Sequence, residues 1–396
     1  MKHWIEVSGE RLAGNFAALQ RAAGAKTALL AVVKANAYGH GAAVCAPLLT
    51  RVGAKWLGVT DAAEGAAVRA ALAGAGIVRA QQPRVLMMSG LCAEEAQAVV
   101  AEELTPVVWD VAQMEWLRDV AERVGRRVRV HVEVDTGMTR QGAAPGVELA
   151  EVLRFFSMST WLKMEGVFTH FASAEVAGSV QTVSQQARFE EALEQVRAAG
   201  LKPEWVHAGN SSTIDEGGSM EWLRLAAADA GARAMVRPGL ALYGYCLPLE
   251  GDAESIVRGE LLPVMSWKAR VIGLREVQAG TKVGYSGTFT AKRPMRLALL
   301  PVGYADGLRR ELSWRDDASG GWVMLGGRPV PILGRVSMNL TVVDVTELKQ
   351  VSLGDVATVL GDGITAEDHA RTAETIPYEI VCGVRAEVVL ADAVGA

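Results

Sequence analysis

The chain has few cysteines and no long apolar run, and these two absences exclude several protein classes. It contains 4 cysteines in 396 residues, dispersed along the chain, so neither a disulfide scaffold nor a cysteine-rich metal centre is expected. Its apolar stretches, such as residues 27–33, are far shorter than the roughly 20 residues that cross a bilayer. The first ten residues include Glu6 and Glu10 where a secretory signal needs an apolar core. We therefore expect a cytoplasmic protein without a membrane span.

Neither sign of charge is in large excess. The 40 basic and 45 acidic residues give a net charge of −5, which offers no electrostatic reason to expect nucleic acid or an anionic membrane as a partner. With 50% hydrophobic and 21% charged residues, the chain can bury a sizeable core, which excludes intrinsic disorder and low-complexity architectures. We therefore expect a folded protein of two or three domains that acts on a small molecule.

Short apolar runs alternate with helical patterns through the first 245 residues. This alternation predicts repeated βα units on a parallel sheet. A doubly wound open sheet would fit the alternation too, but eight units in about 240 residues match the usual length of a closed (β/α)₈ barrel. The eight predicted strands are 28–33, 56–59, 85–88, 106–108, 128–134, 164–168, 205–208 and 234–236.

The pattern changes after Tyr245, where Gly, Pro and charged residues interrupt short runs typical of β-strands. Segment 246–260 is rich in Gly, Pro and acidic residues and is the expected boundary. We therefore predict a barrel over 10–245 and a mainly-β domain over 246–396, with residues 1–9 pairing with the second domain. The strands predicted in that domain are 268–272, 296–301, 323–325, 330–332 and 340–345.

Polar residues follow several of the predicted barrel strands, at the end where barrel active sites lie. Lys34 follows the first strand; a lysine there is usually solvated, but in a barrel mouth it is desolvated enough to act as an amine nucleophile. Loops after strands seven and eight hold a phosphate in many barrels. A reactive lysine facing a phosphate cradle suits pyridoxal phosphate (PLP), which joins an aldehyde to a phosphate. The strand-end residues are Lys34, Arg140, His170, Asn210, Ser211, Arg237 and Gly239, with Ser212 and Leu240 in the same phosphate loops.

The segment AVVKANAYGHG at 31–41 resembles the cofactor-lysine motif of bacterial alanine racemases, a family with a PLP barrel followed by a β domain. The resemblance covers the whole chain and recurs in the same order in eight further segments. These are 135–140, 169–172, 207–211, 236–244, 283–285, 302–307, 334–338 and 376–379.

The resemblance implies an alanine racemase that works with two bases. Lys34 would carry PLP as an aldimine and serve as base on one face, with Tyr285 on the other, since inversion at Cα needs a proton removed from one side and returned from the opposite side. A phenol with a pKa of ~10 is a poor base at neutral pH, and the resemblance nominates His170 and Arg237 as the neighbours that favour the phenolate. Arg237 would also face the pyridine nitrogen, which we expect to suppress transamination because a guanidinium keeps its proton.

The resemblance further implies a homodimer in which Tyr285 and Met338 are contributed in trans. Met338 and Tyr304 have simpler explanations, as core packing and as a buried aromatic that finds a hydrogen bond. The implied cofactor-binding residues are Lys34, Tyr38, His170, Asn210, Ser211, Arg237, Gly239, Leu240 and Tyr378. The implied substrate-binding residues are Arg140, Tyr304 and Met338.

The sequence departs from the family at a few positions. Many members have a carbamylated lysine where this chain has Glu133, and we expect the glutamate to pair with Arg140 in its place. Ser337 and Asn339 stand where other members often have cysteine and aspartate, which leaves serine or a broader range of amino acids open as substrates.

Other enzyme and non-enzyme classes remain as alternatives. His131, Glu133 and Asp135 share one face of strand five, which keeps a metal-assisted D-threonine aldolase open, although no second strand offers matching ligands and we expect no metal. A PLP-dependent decarboxylase and a regulatory protein that carries PLP without catalysis would share the barrel and Lys34. The tyrosine motif of the β domain argues against the aldolase and the decarboxylase, and a regulatory protein has no use for Tyr285 as a second base. The physiological role, in cell-wall synthesis or in D-alanine breakdown, stays open.

Overall fold

The computed structural model describes residues 1–392. These residues form two compact units. The barrel unit comprises Leu12–Ala37 and Cys45–Leu261, and the β unit comprises Met1–Arg11, Tyr38–Val44 and the chain from Leu262 onward. No helix within 1–392 is both long and apolar enough to cross a membrane.

Eight parallel strands close into a barrel, as the sequence predicts. Each strand pairs with the next along the chain, and the last pairs with the first through Thr27 and Ala234. The strands are short and apolar because helices cover their outer faces while side chains fill the interior. The barrel strands are β2 (Thr27–Val32), β3 (Trp56–Val59), β4 (Arg84–Met87), β5 (Thr105–Val108), β6 (Val128–Glu133), β7 (Leu162–Phe168), β8 (Trp205–His207) and β9 (Arg233–Val236).

Amphipathic helices follow the barrel strands. In the first helix Leu12 and Leu19 are fully buried and lie on one face. Side-chain caps mark where helices begin, as at Asp61, whose carboxylate accepts the backbone N–H of Glu64. The helical segments are α1 (Gly9–Ala23), α2 (Lys34–Tyr38), α3 (Ala42–Arg51), α4 (Ala62–Gly74), α5 (Ala96–Ala101), α6 (Val111–Val124), α7 (Val147–Met158), α8 (Val180–Ala198), α9 (Ser211–Glu216), α10 (Gly218–Asp229), α11 (Ala366–Thr372) and α12 (Pro377–Gly383).

The β unit is built mainly of antiparallel strands. Strand β1 (His3–Ser8) brings the start of the chain into this unit, pairing antiparallel with β10 (Met265–Arg270) and parallel with β19 (Val388–Asp392). The six-stranded sheet has the order β16-β15-β18-β10-β1-β19, the three-stranded sheet the order β11-β14-β17, and β12 pairs with β13. The remaining strands are β11 (Gly273–Val277), β12 (Lys282–Val283), β13 (Phe289–Thr290), β14 (Met295–Leu300), β15 (Trp322–Leu325), β16 (Arg328–Pro331), β17 (Thr341–Asp344) and β18 (Val356–Leu360).

Candidate active site

Lys34 is the second residue after β2, at the carboxyl end of the barrel strands, and is half-buried. The backbone that follows it is left-handed: φ is 52° at Ala35, 53° at Asn36, 56° at Ala37 and 52° at Tyr38. Such a conformation costs a non-glycine residue roughly 1–2 kcal/mol, so a run of four is a considerable strain. Strain of this kind is concentrated at functional sites, where the surrounding structure imposes it.

Glu64 holds the start of this left-handed turn in place. One carboxylate oxygen accepts the backbone N–H of Ala35 at 2.7 Å and the other accepts that of Thr60 at 2.7 Å. The carboxylate thus ties the chain after β2 to the chain after β3. Lys34 therefore emerges from a backbone that is fixed on both sides.

Arg237 follows β9, is 2% exposed and connects several side chains at the same end of the barrel. It donates to Nδ1 of His207 at 3.0 Å, to Nδ1 of His170 at 3.0 Å and to the carbonyl oxygen of Thr169 at 2.8 Å. Its guanidinium carbon lies 4.8 Å from the ring centroid of Phe168. Its Nε is buried and has no hydrogen-bond partner within the described chain. Burial lowers the pKa of Arg237 to about 10, so the group remains cationic at neutral pH.

The tautomers of two buried histidines follow from these contacts. Since a guanidinium can only donate, Nδ1 of His207 accepts and its Nε2 carries the proton. That proton points to Nδ1 of His131 at 2.8 Å, so the proton of His131 is on Nε2, which faces the carboxylate of Glu165 at 3.6 Å. Burial lowers the pKa of both imidazoles and keeps them neutral. We call this series of four side chains, Arg237, His207, His131 and Glu165, the barrel relay.

Glu165 is the last member of the barrel relay and lies toward the amino-terminal end of the barrel strands, away from Arg237. It is 1% exposed, and Arg84 and Arg129 bind its carboxylate at 2.7 and 2.8 Å. Burial raises the pKa of this carboxyl group, but His131 and Arg84 outweigh burial and hold the pKa below its ordinary value. An anion therefore stands at one end of the barrel relay and a cation at the other.

Ser211 joins the loops after β8 and β9. Its hydroxyl oxygen accepts the backbone N–H of Gly239 at 3.1 Å and that of Ala241 at 3.2 Å, and the side chain is 3% exposed. Asn210 caps the short helix α9, with its side-chain oxygen accepting the N–H of Thr213 at 3.2 Å. Both residues thus lie where the sequence predicts the phosphate cradle, and here they order its two loops.

Glu133 is 2% exposed at the end of β6. Its carboxylate accepts a short hydrogen bond from Nε2 of Gln141, which also donates to the carbonyl of Met88 at 2.9 Å. The predicted pairing of Glu133 with Arg140 is wrong as a direct contact: Arg140 is exposed and lowers the pKa of Glu133 only through its charge. Burial dominates and raises that pKa to about 7.

The polar face of β6 has other uses than metal binding. His131 belongs to the barrel relay, Glu133 binds Gln141, and Asp135 accepts the backbone N–H groups of residues 137–139 at 2.9 to 3.0 Å. Across residues 1–392 no group of three or more His, Cys, Asp or Glu side chains could hold a metal ion.

The β unit brings together Tyr38 and Tyr378, two of the predicted phosphate-binding residues. Their ring centroids are 6.0 Å apart, and Tyr38 is 8% exposed. Burial, followed by the nearby Tyr378 and Cys382, raises the pKa of the Tyr38 phenol, which therefore stays protonated and can donate to an anion.

Three further predicted residues lie exposed in the β unit. Tyr285 is 69%, Tyr304 47% and Met338 56% exposed, which excludes core packing for each of them in the chain as described. The segments of Tyr304 and Met338 are joined by backbone hydrogen bonds, from Tyr304 N–H to the Ser337 carbonyl at 3.0 Å and from Ala305 N–H to the Met338 carbonyl at 2.9 Å. Large exposed apolar and aromatic side chains of this kind are typical of a surface that another molecule covers.

The barrel unit fits PLP. Arg237 leaves a buried N–H without a partner, which matches the unprotonated nitrogen of a pyridine ring. Lys34 supplies the amine for the aldehyde, and the loops joined by Ser211 offer small residues and backbone N–H groups for the phosphate. The residues present therefore suit the cofactor.

Two structural roles escaped the sequence analysis. Glu64 fixes the turn after Lys34, but its sequence signature predicts only a helix start after Asp61. Glu165 lies inside a predicted strand and shows its role only once His131 of the neighbouring strand is placed beside it.

A closed (β/α)₈ barrel with a lysine just after its first strand, followed by a mainly-β unit, is the architecture of a barrel enzyme of the PLP-dependent class. The sequence matches "Alanine racemase, N-terminal domain" over residues 7–247 and "Alanine racemase, C-terminal domain" over residues 264–390. The chain therefore belongs to the alanine racemase family, whose enzymes are PLP-dependent amino-acid racemases, and the family predicted from the sequence is confirmed.

Individual alanine racemases are similar to the chain over nearly its whole length. The chain is 34% identical to alanine racemase 2 of Caldanaerobacter subterraneus subsp. tengcongensis, covering 97% of this chain and 93% of that protein, and 36% identical to the alanine racemase of Symbiobacterium thermophilum, covering 97% and 95%. Among solved structures, the alanine racemase of Streptomyces coelicolor A3(2) matches with a TM-score of 0.86 and 31% identity, covering 98% of this chain and 97% of that one. The alanine racemase of Bartonella henselae with covalently bound pyridoxal phosphate matches with a TM-score of 0.79 and 26% identity, covering 98% and 99%.

Proposed function

We propose that the protein interconverts L-alanine and D-alanine with two bases, Lys34 on one face of the bound cofactor and Tyr285 on the other. The observation that carries the proposal is the unpartnered, buried Nε of Arg237 at the same barrel end as Lys34, in a chain whose relatives are named alanine racemases. PLP, when bound, withdraws electron density from the Cα of the amino acid and makes its proton removable.

The chain's own residues would handle the proton. The amine of Lys34 would remove or return it on one side of Cα, and the phenol oxygen of Tyr285 on the other. His170 accepts from Arg237 at Nδ1, so its proton is on Nε2. Burial, then the charges of Arg237, Arg140 and Lys34, hold the pKa of His170 well below its ordinary value. A neutral His170 would donate from Nε2 to the phenolate of Tyr285 and favour that form.

Binding would be divided among the remaining predicted residues. Arg140, exposed and cationic, would address the substrate carboxylate, with Met338 contributing backbone contact and Tyr304 lying beside it. Arg237 would direct its Nε to the pyridine nitrogen without giving up its proton. The residues proposed to bind the phosphate are Tyr38, Asn210, Ser211, Gly239, Leu240 and Tyr378.

We further propose that the active enzyme is a homodimer, with Tyr285 and Met338 supplied to each site by the partner chain. The exposure of Tyr285, Tyr304 and Met338 supports this assembly, because a base that must act in a water-excluded site is otherwise solvated. The assembly would bury these side chains against a second copy.

The test is incubation of the purified holoenzyme with L-alanine, L-serine and L-lysine in deuterated water. We expect D-alanine to form with deuterium at Cα, and Lys34→Ala to abolish both exchange and inversion. Tyr285→Phe should retain exchange on one enantiomer while losing inversion, because one face still has a base. Exchange without inversion in the unaltered enzyme would contradict the two-base mechanism.

A broader substrate range is the second candidate. Asn339 donates to both carboxylate oxygens of Asp306, at 3.3 and 3.2 Å, beside the Tyr304 and Met338 segments. An amide there carries no charge, in contrast to the aspartate common in the family, so serine could be accepted more readily. Comparable turnover of L-serine and L-alanine would favour this candidate.

A further inference from the structure

Six arginines surround a cavity at the amino-terminal end of the barrel strands, opposite Lys34. The cavity has a volume of about 350 Å³ and lies within the barrel unit, between the starts of β4 and β6 and the chain that precedes β5. The six residues are Arg69, Arg79, Arg84, Arg126, Arg127 and Arg129.

Carboxylates compensate only part of this charge. Glu103 binds Arg79 at 3.1 Å and also binds Arg126, while the buried Glu165 binds Arg84 and Arg129. Adding the more distant Glu102, and Glu204 with its partner Lys163, gives four carboxylates against seven cationic groups, a local excess of three positive charges. The chain as a whole carries −5, so this excess is a property of the cavity.

Arg69 shows that the positive potential is built into the fold. It is 6% exposed, and its guanidinium donates only to neutral oxygens, the carbonyls of Glu102, Pro83 and Glu103 and the side-chain oxygen of Gln82, at 2.8 to 3.2 Å. Burial, then the charge of Arg79, lowers its pKa to about 10, so it remains charged at neutral pH. A buried cation without a carboxylate partner is costly unless an anion offsets it.

The other arginines are placed to contact such an anion. Arg79 and Arg126 are 39% and 44% exposed, and Glu103, which binds both, is 44% exposed, so these two arginines can turn toward a ligand without breaking an ion pair to a buried carboxylate. Guanidinium groups bind phosphate oxygens in a bidentate manner, and an excess of three charges matches an anion with two or more phosphate groups.

We propose that this arginine cavity binds a small polyphosphate anion, either free pyrophosphate or the diphosphate group of a nucleotide. The proposal does not rest on the racemase activity, because none of the predicted catalytic, cofactor-binding or substrate-binding residues lines the cavity. The cavity is connected to the barrel relay only through Arg84 and Arg129, which bind Glu165.

Calorimetric titration of the holoenzyme tests this site, since bound PLP already fills the predicted phosphate cradle. Pyrophosphate, ADP and orthophosphate are titrated separately. We expect one pyrophosphate or ADP per chain, bound at least tenfold more tightly than orthophosphate, and weakened as sodium chloride rises from about 50 to about 200 mM. Tighter binding of ADP than of pyrophosphate would assign the ligand as a nucleotide, and the reverse as a free anion. Failure of both to bind, or equal binding of orthophosphate, would overturn the proposal.

A matched pair of variants locates the binding. Arg126→Ala with Arg127→Ala removes two exposed cations of the cavity, and Arg154→Ala with Arg197→Ala removes two exposed cations from α7 and α8. Both pairs change the net charge equally. We expect pyrophosphate affinity to fall about tenfold or more in the first pair and to stay within about twofold in the second. Equal losses in the two pairs would show nonspecific attraction and contradict a built site.

Discussion

Glu133 is a buried carboxyl group whose protonation is set by its surroundings. Burial raises its pKa from 4.5 to about 7, although Gln141, Arg237 and Arg140 act in the opposite direction. The folded protein therefore holds a proton that the unfolded chain releases above pH 4.5. Stability falls as pH rises from about 4.5 to about 7, and levels off above that, because the unfolded state binds fewer protons in this window.

Replacing Glu133 by glutamine removes this dependence on pH. A pKa shift of this size corresponds to at most about 3 kcal/mol in the free energy of unfolding. The unaltered protein loses up to that amount between pH 5 and pH 8, whereas Glu133→Gln does not. The free energy of unfolding of the variant minus that of the unaltered protein should therefore rise by up to about 3 kcal/mol over this range. Urea unfolding at both pH values, with saturating cofactor, measures the difference. Glu151→Gln makes the same change at an exposed position of α7 and should show a much smaller trend. If the stability difference between Glu133→Gln and the unaltered protein is the same at pH 5 and pH 8, Glu133 does not hold a proton in the folded state at pH 5 that it loses by pH 8.

Glu165 positions Arg237 through two histidines. Arg237 fixes the tautomer of His207, and the charge of Glu165 supports it from the other end by stabilising the proton on Nε2 of His131, so loss of that charge weakens the orientation of His207 beneath Arg237. We expect Glu165→Gln to lower kcat about tenfold, in the range seen when a group that orients a functional side chain is lost.

Two readouts separate positioning from general damage at Glu165. The pH profile of kcat and the absorption of bound PLP should both shift, because Arg237 faces the predicted pyridine position. Glu204→Gln is the control, since Glu204 binds Lys163 at the same end of the barrel without touching a histidine. Unchanged kcat and absorption in Glu165→Gln would show that the barrel relay has no such effect.

Single residues divide into those a sequence can reveal and those it cannot. The positions of Lys34, Ser211 and Arg237 just after barrel strands are predictable, because the strands read clearly from the sequence and the motifs that follow them are specific. Glu64 and Glu165 are not predictable, because their partners come from other strands and their own segments look like a helix start and a strand interior.

At the level of elements, the left-handed turn after Lys34 carries a strain that a substitution can relieve. Ala35 has φ 52° and is exposed, and glycine adopts this conformation without steric cost. Allowing for the greater freedom of glycine in the unfolded chain, Ala35→Gly should raise the free energy of unfolding by about 0.5–1 kcal/mol.

Whether Ala35→Gly raises or lowers the free energy of unfolding shows whether the turn is strained, because replacing an unstrained alanine by glycine lowers it. Ala17 is exposed within the right-handed helix α1, where Ala17→Gly should destabilise by about 1 kcal/mol. Thermal unfolding of both variants gives the comparison. Destabilisation in Ala35→Gly as well would mean that the turn is not strained.

The strands were predictable where burial makes them continuously apolar. All eight barrel strands lie within one or two residues of the predicted ranges, since parallel strands covered by helices read as apolar runs. The β unit was predicted less completely, since β11, β12, β13, β18 and β19 were missed. The glycine and the charged residues of β11 resemble a loop, and β12 and β13 are only two residues long. β18 and β19 contain the β-branched residues typical of strands and were predictable. The left-handed turn was not predicted either, since two of its four residues are alanines, which favour a right-handed helix, and it contains no glycine.

At the scale of the whole molecule, the two units carry different parts of the proposed chemistry. Lys34, His170 and Arg237 belong to the barrel unit, whereas Tyr285, Tyr304 and Met338 are exposed in the β unit. The proposed homodimer would complete each site with residues of the partner chain. Sequence alone cannot distinguish this arrangement from one within a single chain, because identical chains present identical residues in either case.

Subunit complementation distinguishes the two arrangements. Lys34→Ala and Tyr285→Phe should each be inactive as a homodimer. After the two variants are mixed under conditions that allow chains to exchange, a mixed dimer has one site with both substitutions and one site with neither, provided that Tyr285 acts in trans. Random exchange makes half the dimers mixed, so racemase activity should recover to about a quarter of that of the unaltered enzyme. If Tyr285 acted within its own chain, every site would retain one substitution and activity would stay near zero.

Mixing Lys34→Ala with Arg237→Ala is the control. Both residues come from the same barrel, so no exchange of chains can restore a complete site.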